Sequence, residues 1–534
     1  MSVHPQAETP TTDTQHPVTV REAVLGLLRA FGMQRIFGNP GSTELPLFRD
    51  FPPDFSYVLA LQESIAVGMA DGYAQATRNA ALVNLHSAVG VGHALGNLFT
   101  AFKNQTPLVI TAGQQARSIL PFEPFLFSAR ATELPTPYVK WAVEPARAQD
   151  VPAAIARAYY LAMQPPRGPT FVSIPVDDWD RHCEPLAPRQ VSTAVRGDPA
   201  LLAQVARQLA QASRPVFVVG ASVARDDAWD EVIALAERHQ AQVWVSPMSG
   251  RNSFPEDHRL FAGFLAADRG AIVRSLAGHD LILVLGAPAF TYHVEGQGPH
   301  VPAGARLCQV IDDPAIASWT PVGVAVVSSL KLALQDLLAG DAPPVRPAPS
   351  PRVRPPPVAG QPLTDSYLLQ QLAALRPAGS IIVEEAPSSR GPMHEHLPIL
   401  ERDTFYTCAS GGLGHGLPAA VGVALGRPGE KVIAVLGDGS SMYAIQGLWS
   451  AVQLSLPVTF IIVNNRRYEA LLQFGRHFKL DQTVGTALPQ IDFCGLARAQ
   501  GCAAVRVAQA QELDEALTSA FAASCPTLVE VLIE

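Results

Sequence analysis

Two short polar signatures at the ends of one strand-helix-strand unit constrain this chain more than any other feature. An apolar run, Val432 to Leu436, leads into Gly437-Asp438-Gly439. An amphipathic segment follows, and a second apolar run closes on Asn464-Asn465. In a parallel sheet, strands joined by one helix lie side by side, so the Asp438 carboxylate and the Asn465 amide oxygen converge. Hard oxygen donors in that arrangement suit Mg²⁺, which keeps few protein ligands and completes its octahedron with water and phosphate oxygens. Gly437 and Gly439 let the backbone approach a phosphate, and a helix beginning near Ser440 aims free N–H groups at it. The unit therefore predicts a Mg-diphosphate anchor. A Gly-Asp-Gly triplet alone is an ordinary turn; the Asn-Asn pair at the second strand end adds the specificity.

The same alternation of apolar runs and helical stretches recurs along the chain. A length of 534 residues suggests about three domains of roughly 100–200 residues each. Residues 18–190 carry RIFG, YVLAL, a helix ESIAVGMADGYAQAT, ALVNLH, a Gly/Ala-rich helix and PLVITAG. Residues 198–340 carry RPVFVVG, QVWVSP and LILVLGAP, and residues 363–534 end in TLVEVLIE. Three consecutive parallel-sheet α/β domains are expected. Residues 341–362 are proline-rich without a hydrophobic period and read as an extended linker. Residues 1–17 are polar with no apolar core, a disordered tail in place of a signal peptide.

A net charge of −8 argues against nucleic acid or an anionic membrane as the main partner. No apolar run is long enough to span a bilayer. Six cysteines scattered without CxxC spacing read as reduced thiols, and a cytoplasmic protein is expected. His394 and His396 lack a third metal ligand nearby and read as a polar loop.

The GDG and NN pair, with its spacing and flanks, resembles the cofactor motif of thiamine diphosphate enzymes. The resemblance implies that Asp438, Asn465 and the backbone carbonyl of Arg467 hold Mg²⁺ against the diphosphate, within a contact surface that includes Gly437, Gly439 and Ser440. It implies that Glu63 holds the aminopyrimidine in its imino tautomer and thereby generates the ylid. A carboxylate opening a helix is ordinarily a cap, and only the distant metal motif favours the catalytic reading. Leu413, in ASGGLGHGLPAA, fits the slot of the aliphatic residue that bends the cofactor into a V.

FGNPGSTELPL, ALQESIAVGMADGYAQA, NLHSAVG, VITAGQQAR and GAPAFTYH narrow the likeness to the benzoylformate decarboxylase branch, over essentially the whole chain from Val18 onward. By that resemblance Ser42 binds the substrate carboxylate, while His86 and His293 move protons around the intermediates. The implied reaction is non-oxidative decarboxylation of an aromatic 2-keto acid, benzoylformate to benzaldehyde, through an ylid and an enamine. A histidine titrates near operating pH and serves both directions of transfer.

The implied substrate pocket takes in Phe125, Leu126, Pro387, Thr407, Ala470 and Phe474. Thr407 stands where an aromatic ring is expected, so a ring at position 125 could replace it, or the substrate is a different bulky 2-keto acid. A carboligase or a lyase of another 2-oxo acid or acyl-CoA with the same cofactor remains open. A Rossmann oxidoreductase lacks a GxGxxG after its first strand. The resemblance also implies a site at a dimer interface, Glu63 of one subunit facing Asp438 of another, in a homotetramer.

Overall fold

A computed structural model describes residues 17–340 and 342–534. Apart from Pro17, the expected N-terminal tail lies outside the described residues. Three six-stranded sheets follow one another along the chain, and every strand pair in them is parallel. Their strands fall within Arg35–Pro175, Pro215–Val327 and Ile381–Leu532. Runs such as Val432–Gly437 and Val458–Asn464 are almost entirely buried. Strands covered by helices on both faces need such continuous apolar sequence.

Numbered within each sheet by chain order, the first and third sheets share the order 2-1-3-4-6-5, while the middle one runs 3-2-1-4-5-6. In both outer sheets the order reverses between the first and third strands. Ligands of open α/β sheets bind beyond the carboxyl ends of the strands at such a reversal. In the third sheet the two strands concerned are Ile381–Glu385 and Val432–Gly437. An antiparallel ribbon, Val18–Thr19 with His182–Cys183, closes the first unit and has no counterpart in the sequence reading.

The outer units share one hydrophobic core. Helix Glu63–Thr77 of the first packs on helix Gly416–Gly426 of the third. GLPAAVGVALG is apolar on all sides because it is buried on all sides. The crossing is close enough to exclude side chains at two positions. A Cβ on Gly72 would lie 2.2 Å from the Ala419 carbonyl oxygen, and one on Gly422 would lie 1.9 Å from that of Met69. Beside the crossing, His415 Nε2 meets Asp71 Oδ2 at 2.6 Å, both fully buried. Asp71 also accepts from Gln75 and Asn104. Despite burial, these partners hold the Asp71 carboxyl below its usual range, and Asp71 raises the His415 imidazole.

Three expectations about local structure need correction. The helix after Gly-Asp-Gly begins at Asp438, not Ser440, and is two short pieces, Asp438–Ser441 and Gly447–Gln453. The Ser440 and Ser441 hydroxyls donate to the Gly437 carbonyl at 3.0 and 2.7 Å, and such local side-chain bonds compete with helix continuation. His394 and His396 close a helix, Arg390–His396, and His394 is buried, stacked on Phe264 and bonded to Glu256 at 3.1 Å. The strand before Glu63 is only Ser56–Leu59. The described linker residues 342–359 form neither helix nor strand, as expected, yet are tied down. Arg346 donates to the carbonyls of Leu209, Ala210 and Ala212.

Candidate active site

The first unit gathers one group of functional side chains where its strands end. The chain leaves Arg35–Gly38, passes Gly41 and enters a turn that exposes Ser42 and buries Thr43 and Glu44. His86 follows the strand Ala81–Leu85 and caps the helix Ser87–Asn104. Its Nδ1 lies 2.9 Å from Glu44 Oε2 and 3.2 Å from Thr43 Oγ1. Glu44 is held in turn by the Gly41 and Gly113 N–H groups, each at 2.9 Å, and by the Thr43 hydroxyl at 2.6 Å. With Nδ1–H donating to that carboxylate, the neutral imidazole carries its lone pair on Nε2.

Glu63 opens the preceding helix, Glu63–Thr77, and is buried. A Cβ built on Gly90 would lie 3.4 Å from Glu63 Oε1 and 3.6 Å from His86 Cβ, so the acid and the root of the His86 side chain approach one glycine. Glu63 Oε2 also meets His93 Nδ1 at 3.1 Å. Ser42, Glu63 and His86 therefore occupy one region. Glu44 and His93 belong to it and were missed; a glutamate two residues after Ser42 in the same turn was the available signal.

The third unit gathers the second group. Asp438 is buried, its Oδ1 accepts from the Gly439 N–H at 2.7 Å, and its Oδ2 is buried with no partner. Burial raises the Asp438 carboxyl above the usual carboxylate range, and the Gly439, Arg466 and Arg467 N–H groups oppose that shift. Asn465 Oδ1 accepts from the Arg467 N–H at 3.1 Å, and the Arg467 N–H group also faces Asp438. An orphaned, desolvated carboxylate oxygen is matched by a hard cation. The residues thus fit Mg²⁺, and no cluster of three His, Cys, Asp or Glu ligands competes among the described residues.

Gly439 has a different reason for being glycine than the one read from sequence. A Cβ there would lie 2.2 Å from Cε1 of Tyr468, whose ring fills the space. A Cβ on Gly437 would lie 3.3 Å from Ser440 Oγ, a tight contact. Ser440 Oγ also donates to the Glu385 carbonyl at 2.7 Å, tying the GDG turn to the neighbouring strand end. The Glu385 carboxylate accepts from the N–H groups of Gly414 and Gly416, which fixes the loop carrying Leu413. Full burial pushes the Glu385 carboxyl up to about 7.

The pocket residues are dispersed. Ala470 and Phe474 stand one turn apart on helix Glu469–His477, and the Phe474 ring meets His293 edge-on at 4.7 Å. His293, exposed, lines an open cavity of about 640 Å³ with His477 and Phe478. Phe125 is 87% exposed in a first-unit loop with Leu126, and Pro387 is exposed. Thr407 is buried. Its hydroxyl donates to Glu384 at 2.8 Å and accepts from Arg390 at 2.7 Å, so an ionic network stands where the sequence suggested a wall. Glu63 and Asp438 share no hydrogen-bond partner among the described residues. Glu63 stands in the first unit and Asp438 in the third.

The models of the thiamine pyrophosphate enzyme N-terminal, central and C-terminal domains match residues 18–129, 202–337 and 388–531. The chain belongs to the thiamine pyrophosphate enzymes. It is 44% identical over 519 residues to the benzoylformate decarboxylase of Pseudomonas aeruginosa, covering 96% of this chain and 98% of that one. The acetolactate synthase large subunit of Haemophilus influenzae is 25% identical over 548 residues, covering 94% and 91%. Among solved structures, benzoylformate decarboxylase from Polynucleobacter necessarius superimposes with a TM-score of 0.94 at 40% identity, covering 96% of this chain and 98% of that one. The 4-hydroxybenzoylformate decarboxylase of Rhodococcus jostii does so with 0.94 at 40% identity, covering 97% and 99%.

Proposed function

We propose that the protein is a thiamine diphosphate- and Mg²⁺-dependent decarboxylase that converts an aromatic 2-keto acid, benzoylformate, to benzaldehyde and CO₂. The observation that carries the chemistry is a buried acid, Glu63, in the same region of the first unit as an imidazole, His86, oriented through Glu44. The aromatic substrate comes from the likeness to relatives named for benzoylformate and 4-hydroxybenzoylformate.

Asp438 Oδ2, Asn465 Oδ1 and the Arg467 carbonyl would hold the metal, with Leu413 beneath the cofactor. When bound, the thiazolium serves as sink for the electron pair that departing CO₂ leaves behind. Glu63 holds and returns a proton at the cofactor's ring nitrogen. His86, fixed through Nδ1, uses Nε2 to give or take a proton at the former keto oxygen and carbon. Ser42 holds the carboxylate that leaves, and His293, braced on Phe474, faces the same reacting group. A rigid imidazole needs no reorientation between the two transfers.

The proposed assembly pairs the Glu63 half-site of one copy with the Asp438 half-site of another, in a homotetramer built from such dimers. Exposed Leu45, Leu61, Val89, Phe125 and Tyr443 supply apolar surface for the contact. The test is turnover of benzoylformate by protein loaded with cofactor and Mg²⁺, following CO₂, benzaldehyde and 2-hydroxy ketone. Benzaldehyde as main product, abolished in Glu63→Gln, is expected. Ketone as main product would make the protein a carboligase, and no turnover of any aryl 2-keto acid would end the proposal.

A further inference from the structure

Glu63 is the acid on which the proposed chemistry turns, and one of its two oxygens is already taken. His93 Nδ1 lies 3.1 Å from Oε2, and since a carboxylate has no hydrogen to give, the imidazole donates. Oε1 accepts nothing among the described residues, yet it is not sealed in the interior, and the side chain keeps 11% of its surface. That open oxygen is the one that approaches Gly90, where a Cβ would lie 3.4 Å away.

The contact belongs to a longer grip. Gly90, His93 and Asn97 follow one another at spacings of three and four residues, so they share one face of helix Ser87–Asn104. Gln62 Nε2 reaches the His93 carbonyl at 3.4 Å. Asn97 Nδ2 donates to the Ser64 carbonyl at 2.7 Å and to the Gly414 carbonyl at 3.1 Å. Gln62, Glu63 and Ser64, at the start of helix Glu63–Thr77, are thus each tied to that face. Gly414 adjoins Leu413, so Asn97 joins the same grip to the loop assigned to the cofactor.

His86 does not supply the brace, because its Nδ1 is engaged with Glu44 and Thr43. The His93 side chain is 57% exposed, and an exposed ion pair adds little to stability. Its effect is geometric. The bond stops the carboxylate from rotating and decides which oxygen stays open.

We infer that His93 is a positioning residue that pins Glu63 by Oε2 and so leaves Oε1 for the cofactor's ring nitrogen. This rests on the reading of Glu63 as the acid that holds that nitrogen. A hydrogen bond to a charged group changes a rate or an equilibrium by roughly 10- to 100-fold.

The test compares His93→Leu, which removes the donor, with His93→Asn, whose side-chain N–H takes the place of Nδ1. His93 stands largely outside the core, so neither change threatens the fold. The first readout needs no substrate: exchange of the bound cofactor's thiazolium proton into D₂O, followed by NMR after acid quench. It should slow about 10-fold in His93→Leu and stay within about threefold of the parent in His93→Asn. The second is binding, by fluorescence quenching with Mg²⁺, of thiamine diphosphate and of its analogue with carbon in place of the ring nitrogen. The parent should prefer the natural cofactor by about 10-fold, and that preference should shrink in His93→Leu and persist in His93→Asn. On benzoylformate, kcat should follow the exchange rate while KM stays unchanged. His93→Leu that matches the parent in exchange and in cofactor preference would overturn the inference. So would His93→Asn as impaired as His93→Leu, because ring volume and not the donor would then matter. Both readouts behaving as expected with no aryl 2-keto acid turned over would sink the decarboxylase reading and leave the role of His93 standing. A parent that bound the two cofactors equally would remove the role of Glu63, and the inference with it.

Discussion

Replacing Gly41 by alanine tests whether the orientation of His86 matters to the chemistry. A Cβ at position 41 would lie 2.0 Å from His86 Nδ1, 2.2 Å from Cγ and 2.4 Å from Cε1, where real contacts of this kind do not fall below 3.0 Å. The imidazole must retreat by about 1 Å, and it cannot do so while keeping its 2.9 Å bond to Glu44. A misplacement of about 1 Å lowers catalysis by roughly 100-fold, about 2.7 kcal/mol of transition-state stabilisation. The expected result is a fall in kcat on benzoylformate of that order, measured by CO₂ release, with cofactor affinity retained because the metal half-site is untouched. Gly96→Ala is the control. It lies on the helix that His86 caps, nothing stands within 4 Å of its added carbon, and activity should be unchanged. Folded Gly41→Ala protein with kcat within twofold of the parent would refute the idea that a fixed imidazole carries the proton transfers.

Three further outcomes follow from the geometry. Mixing inactive Glu63→Gln and Asp438→Asn chains, with unfolding and refolding together, should restore about a quarter of the parent activity, because a hybrid dimer holds one site with both residues intact; no recovery would place the whole site in one chain. His415→Ala should destabilise by about 3–5 kcal/mol in denaturant unfolding, since it leaves Asp71 charged and buried. The pH dependence has a definite sign: the His415 contribution is complete below its unfolded value of 6.5 and fades as pH rises through its higher folded value. The Asp71 contribution is complete above 3.8 and fades as pH falls through its lower folded value, so the pair stabilises most between the two. In native protein, thiol titration should find Cys525 reacting fast and the five buried cysteines slowly, with Cys408, its thiol pushed up to about 12 by burial, among the slowest.

Much of the architecture is legible from local pattern. ESIAVGMADGYAQAT is a helix over its full predicted length, Glu63–Thr77, because its small and apolar residues make a fully covered rod. GDG and NN are readable because the strand pairing that unites them is local, one crossover apart. The Arg390 network is illegible for the opposite reason. Glu384, Arg390 and Thr407 meet only through the pairing of two strands, and no periodicity marks a charge that another strand neutralises. The helix break after Ser441 was hidden by amphipathic sequence, since the serine hydroxyls decide it through bonds to the Gly437 carbonyl. The Glu44–His86 pair escaped notice because 42 residues separate its members.

The matching strand orders of the first and last sheets mean that one ancestral module, copied and then specialised, could account for both halves of the catalytic apparatus. One copy would supply the proposed proton-handling acid and the other the proposed cation clamp, so neither is useful without its sibling. Truncating the gene at either end should therefore strip one side from the core the outer modules share and leave a poorly folded, inert fragment, whereas the middle module keeps a core of its own.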